Sequence, residues 1–84
     1  KGDSEGIVNY GLTISGIQFS VIFIEDENEK NKFKISFRSK EDFPCNEFAS
    51  IFFDGGGHLN AAGGIFIGNL NSAIEYFKKS LNEF

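Results

Sequence analysis

The stretch Asp54, Gly55, Gly56, Gly57, His58, Leu59, Asn60, Ala61, Ala62, Gly63, Gly64 sets the only histidine of the chain directly after three consecutive glycines. Glycine forgoes side-chain burial and has the most backbone entropy to lose on folding. A run of three is therefore costly unless the backbone takes unusual dihedrals or a ligand comes close. Successive unobstructed N–H groups suit phosphate oxygens, and His58 at the rim can donate a charge-assisted hydrogen bond to the same anion when protonated. Upstream, Ser36, Phe37, Arg38, Ser39 and Lys40 combine a guanidinium fork, two hydroxyls and an ammonium, which suits a bidentate grip on phosphate. Plainer readings stand beside both: a helix-terminating turn with an incidental histidine, and the solvated side of a half-covered sheet.

Other chemistries fit these residues poorly. The glycine run is no Walker loop, because Lys followed by Ser or Thr does not come after it at the required spacing, and it lacks the dinucleotide fingerprint. His58 and Cys45 alone fall short of the ligand set of a structural zinc site. Spacing permits a Cys45 and His58 nucleophile pair, but Cys45 lies at a predicted helix start without active-site context. The Asp54 carboxylate would repel a phosphate and is expected to fix the loop instead.

A sheet and two helices must position these side chains. Ile17, Phe19, Val21 and Phe23 alternate with Gln18, Ser20, Ile22 and Ile24, which predicts a strand. After a polar loop, Phe33, Ile35 and Phe37 alternate with Lys32, Lys34, Ser36 and Arg38. This predicts a second strand, paired with the first as an antiparallel hairpin, with Lys34, Ser36 and Arg38 as a basic stripe. Phe48, Ala49, Ile51 and Phe52 predict a helix over residues 46–53, ended by Gly55 in a left-handed conformation. Residues 58–62 are expected to add a helical turn facing the glycines, and residues 64–67 a short strand. Leu70, Ala73, Ile74, Phe77 and Leu81 predict a terminal helix capped by Asn69 or Asn71, with Lys78 and Lys79 toward its C-terminal end. Residues 1–16, punctuated by Gly2, Gly6, Gly11 and Gly16, are expected to be an irregular lead-in from a linker with one helical turn. The expected class is α/β of the α+β type: a small mixed β-sheet, comprising the hairpin and a further short strand, packed by two main helices over residues 17–84.

At 84 residues the chain makes one domain, near the lower size at which a core suffices without disulfide or metal. Eleven phenylalanines supply much of that core. A single cysteine excludes an internal disulfide and suits a reducing, cytoplasmic setting. The net charge of −4 argues against a surface that coats nucleic acid, leaving only local phosphate binding. No apolar run is long enough to span a bilayer, so no membrane partner is expected. Because the chain begins at Lys1 rather than at a methionine, a domain of a longer protein is expected.

With Ser36-Phe37-Arg38-Ser39 and the Gly55 to Gly64 motif both in hand, residues 17–84 resemble the DHH-associated domain, the C-terminal substrate-binding half of DHH-family phosphoesterases. Members of that family include oligoribonucleases, 3′-phosphoadenosine 5′-phosphate phosphatases and exopolyphosphatase-related proteins. The resemblance implies that His58 and the backbone of Gly55, Gly56 and Gly57 hold a substrate phosphate. It also implies that Arg38, flanked by Ser36 and Ser39, grips phosphate or stacks on a nucleotide. The aspartates and histidines that bind two divalent metals, usually Mn²⁺, in the catalytic domain of such enzymes have no counterpart here. The implied partners are therefore an N-terminal DHH catalytic domain in the same protein and a nucleotide, short RNA or DNA, or polyphosphate substrate. This fragment alone would be inert, with no catalytic residue, cofactor or metal of its own. Related modules at the end of alanyl-tRNA synthetases leave a tRNA-binding appendage as an alternative. A homodimerisation module, using a sheet edge and a phenylalanine-rich surface, is another.

Overall fold

The alternation of phenylalanines in the middle of the chain builds the centre of a five-stranded sheet. The structure, a computed structural model, describes residues 7–14, 17–40 and 42–84. In chain order the elements are β1 (Ile7–Ile14), β2 (Ile17–Glu25), β3 (Lys32–Ser39), α1 (Cys45–Phe52), β4 (Gly56–His58), β5 (Ala61–Ile67) and α2 (Leu70–Glu83). The sheet order is β1-β2-β3-β5-β4, and every neighbouring pair is antiparallel.

Three expectations change. The lead-in gives way to β1, paired along its whole length with β2; the remainder of residues 1–16 lies outside the described residues. The helical turn expected over residues 58–62 is a hairpin, in which His58 pairs with Ala61 across the two-residue loop Leu59-Asn60. That hairpin also makes the sheet antiparallel rather than mixed. A single strand following α1 would have run parallel to β3, but β4 reverses the chain before β5 inserts beside β3.

Strand periodicity separates the two faces of the sheet. Phe19, Val21 and Phe23 of β2 and Phe33, Ile35 and Phe37 of β3 are buried beneath Cys45, Phe48 and Ala49 of α1 and Ala73 and Phe77 of α2. Phe48 sits at the centre of this core, its ring against those of Phe19, Phe37, Phe43, Phe52, Phe53, Phe77 and Phe84. The phenylalanines are thus spent on the interior: Phe84 alone is exposed, at 43%, and the phenylalanine-rich surface expected for dimerisation is not formed.

Local chemistry sets the element ends. The Asn69 side chain accepts from the Ser72 N–H at 2.8 Å and caps α2. That helix continues to Glu83, leaving Lys78 and Lys79 short of its last turn. At the β2–β3 hairpin, Asp26 Oδ2 accepts from the N–H groups of Asn28 and Glu29 at 2.9 and 2.8 Å. These bonds hold its carboxyl below the usual carboxylate range. After α1 the left-handed residue is Asp54, φ 54°, and not Gly55.

Candidate functional site

The register brings the two sequence motifs together. Ser20 lies opposite Arg38, Arg38 opposite Ala61, and Ala61 opposite His58, and directly paired residues project from the same face of a sheet. Arg38 and His58 therefore stand on the face away from the helices, both exposed, with only Ala61 between them and about 10 Å, two strand spacings, from backbone to backbone. The neighbouring rung reads Ile22, Ser36, Gly63, Gly56. Lys34 and Ile65 follow on the next. Lys32, Lys34, Arg38 and His58 thus share one face of a chain of net charge −4, and among the described side chains β2 to β5 add no carboxylate to it. The nearest acids lie at the hairpin end, where Glu29 pairs with Lys32 at 3.2 Å.

Arg38 is positioned before any ligand arrives. Its Nη1 donates to Ser36 Oγ at 3.0 Å and to the Phe37 carbonyl at 2.9 Å. Nε and Nη2 donate to nothing among the described residues, and that edge of the guanidinium fork matches two phosphate oxygens. Ser36 is thus beside Arg38 on the same face. Ser39 is not: it projects to the other face, 9% exposed, where Oγ donates to the Phe43 carbonyl at 2.8 Å and accepts from Asn60 Nδ2 at 3.0 Å. The Ser39 N–H also donates to the Asn60 carbonyl at 3.1 Å.

The three glycines do different jobs. The Gly55 N–H, the first donor of the glycine run expected to hold an anion, is already engaged: it and the Phe53 N–H both donate to the Ala49 carbonyl, at 3.0 and 2.9 Å, and close α1. A Cβ on Gly55 would run into the Gly63 carbonyl, and one on Gly57, φ 151°, would lie 2.6 Å from the Ala61 carbonyl. Both are glycine so that β4 can lie against β5. From Gly56 to His58 the chain is an edge strand, so successive N–H groups point to opposite sides within the sheet plane and do not converge.

Cys45 is buried, its Sγ 3.9 Å from the carbonyl oxygens of Phe37 and His58; it meets the backbone of His58, not the imidazole. A cleft of about 410 Å³ runs between α1 and β4, lined by Asn46, Glu47, Ser50, Ile51 and the three glycines. It holds the Glu47 carboxylate and no cation, whereas the exposed face of the sheet carries Lys34, Arg38 and His58. Among the described residues no three His, Cys, Asp or Glu side chains converge into a group that would hold a metal ion. Nor is any described helix long and apolar enough to cross a membrane.

Sequence reasoning missed the intervening Ala61 and Gly63. Their place beside Arg38 follows only once β4 and β5 are seen as a hairpin, for which the signal was the Leu59-Asn60 loop between two runs of small residues.

The chain is similar to an exopolyphosphatase-related protein from Bacteroides fragilis of known crystal structure, with 43% identity and a TM-score of 0.74 over 99% of this chain and 24% of that one. It therefore spans about a quarter of the length of that protein. No curated protein matches it. The DHHA1 domain model matches residues 1–84, β1 included, and with both motifs on one sheet the chain belongs to the DHHA1, or DHH-associated, domain family.

Proposed function

We propose that this domain is the substrate-phosphate-binding lobe of a metal-dependent DHH-family phosphoesterase. The parent enzyme would hydrolyse phosphodiester or phosphoanhydride bonds in nucleotides, short oligonucleotides or polyphosphate. The observation that carries the reading is the rung Arg38, Ala61, His58: a preset guanidinium and an imidazole on one open face, with a methyl group between them. Arg38 would take two phosphate oxygens through its Nε and Nη2 edge, His58 would donate to a further oxygen, and Ser36 would hold Arg38 in place. Family membership and the exopolyphosphatase-related neighbour support the class of chemistry. Two Mn²⁺ in an N-terminal DHH domain would supply water activation and leaving-group stabilisation; this chain's share is to bind and orient the phosphate.

Titration of the isotope-labelled chain with a 5′-phosphorylated dinucleotide tests this directly. The Arg38 Nε–H signal and the amides of Ser36, Gly56 and His58 should move together at sub-millimolar to millimolar ligand, because a half-site lacks the contacts of a second lobe. Signals that stay fixed at millimolar ligand would overturn the proposal, and shifts confined to the α1–β4 cleft would relocate the site.

A further inference from the structure

On the helix side of the sheet, the cleft between α1 and β4 has side chains that accept hydrogen bonds and none that carries positive charge. Asn46, Glu47 and Ser50 supply an amide, a carboxylate and a hydroxyl, with Ile51 beside them. Asn46 Oδ1 is buried yet accepts no hydrogen bond, alone among the described side-chain oxygens and nitrogens. A buried acceptor without a donor is costly, and the soft χ2 torsion of asparagine lets this one turn toward the cleft. The N–H groups of Cys45, Glu47 and Phe48 at the same end of α1 already donate to backbone carbonyls, so the helix start is not a free anion cradle. The other wall is an open strand edge. Among the described residues β4 pairs with β5 alone, and all three of its residues are exposed. An edge strand turns the N–H and C=O groups of alternate residues outward. Proteins usually blunt such an edge with lysine, proline or a bulge, but β4 reads Gly56, Gly57, His58.

We propose that this cleft docks an extended peptide segment carrying a lysine or arginine. The main chain of the segment adds to the outer edge of β4, and its basic side chain crosses to α1. The methylene stem lies along Ile51, which is 63% exposed, and the cationic head donates to Asn46 Oδ1, the Glu47 carboxylate and Ser50 Oγ. Charge complementarity selects this occupant. An acidic segment would meet Glu47 with no cation to offset it, and an aliphatic side chain would leave the Asn46 oxygen without a donor. A long basic side chain answers both the apolar and the acceptor parts of the wall. In strand addition the backbone supplies affinity and the side-chain pocket supplies specificity. The site uses neither Arg38 nor the His58 imidazole and is independent of the phosphate-binding reading.

The test is a titration of the isotope-labelled chain with three capped pentapeptides: Val-Thr-Arg-Thr-Val, the same peptide with glutamine in place of arginine, and the arginine peptide N-methylated on its backbone so that it cannot pair as a strand. The arginine peptide should bind with a Kd of about 1 mM or below. It should move the backbone amides of β4 and the side-chain amide of Asn46, and leave the Arg38 Nε–H signal in place. The glutamine and N-methylated peptides should each bind about tenfold more weakly. Asn46→Leu should weaken the arginine peptide about tenfold without lowering Tm, because the buried oxygen has no hydrogen bond to lose. Glu47→Gln, at an exposed position, should weaken it about threefold and serves if the leucine variant fails to fold. Equal binding of the arginine and glutamine peptides overturns the basic socket, and equal binding of the N-methylated peptide overturns the strand addition. Cleft signals that stay fixed at about 10 mM arginine peptide overturn the proposal as a whole, whatever the dinucleotide does on the open face.

Discussion

Substituting alanine one position at a time for Gly55, Gly56 and Gly57 should give three different stabilities from three adjacent glycines. At Gly56 the added methyl has open space and an ordinary φ, so the main effect is on the unfolded chain, which loses conformational freedom. A gain of about 0.4–1 kcal/mol is expected, or a rise in Tm of about 2–8 °C for a domain of this size. At Gly57 the φ of 151° is one that L-residues rarely adopt, and the Ala61 carbonyl lies 2.6 Å from the new Cβ; the expected loss is about 1–3 kcal/mol. At Gly55 the new Cβ occupies the place of the Gly63 carbonyl, so β5 must shift away from α1, at a cost of about 1–3 kcal/mol or more. Gly56→Ala should therefore lie about 1.4–4 kcal/mol above the other two in urea unfolding followed by far-ultraviolet circular dichroism. If Gly56→Ala is as destabilising as its neighbours, the division between glycines required by packing and one free of it is wrong.

Two further outcomes follow from the core and the hairpin. Phe48→Ala should lose about 3–5 kcal/mol, since its ring is fully buried among seven others; Phe84→Ala, at a ring 43% exposed, should lose far less in the same unfolding assay. The depressed Asp26 carboxyl is bonded to the Asn28 and Glu29 N–H groups. Its contribution should be fully present above the ordinary value of 3.8 and fade as pH falls through the lower folded-state value. The Tm difference between the unaltered chain and Asp26→Asn should accordingly shrink on acidification below that point, and a difference that stays constant through pH 3 would contradict this assignment.

The parts of the fold that were legible are those where one side chain type repeats at one period. Phe19 to Phe23 and Phe33 to Phe37 declare the buried faces of β2 and β3, and Ala73, Phe77 and Leu81 declare α2. β1 was obscured by Gly11, read as a breaker although Val8, Tyr10, Leu12 and Ile14 alternate with Asn9, Gly11 and Thr13. The β4–β5 hairpin was obscured for another reason: alanines and glycines carry almost no periodic signal, and only tertiary pairing with β3 decides between helix and strand. Arg38, Ser36 and His58 were identifiable as residues, but their common face depends on that hairpin. Ser39 shows the limit of motif reading, because period two carries it to the opposite side from Arg38.

That opposite side has a consequence for how ligands are chosen. Ser39 and Asn60 are bonded to each other twice, through the Ser39 N–H and the Asn60 amide. Each lies one or two residues along the chain from an exposed side chain of the open face, Arg38 or His58. The clasp beneath the sheet therefore fixes the span above it, so the pair acts as a gauge rather than as two independent hands. On the proposed phosphate-binding reading, anions would be sorted by whether their oxygens bridge that set interval, with little ordering of the backbone left to be done when one arrives.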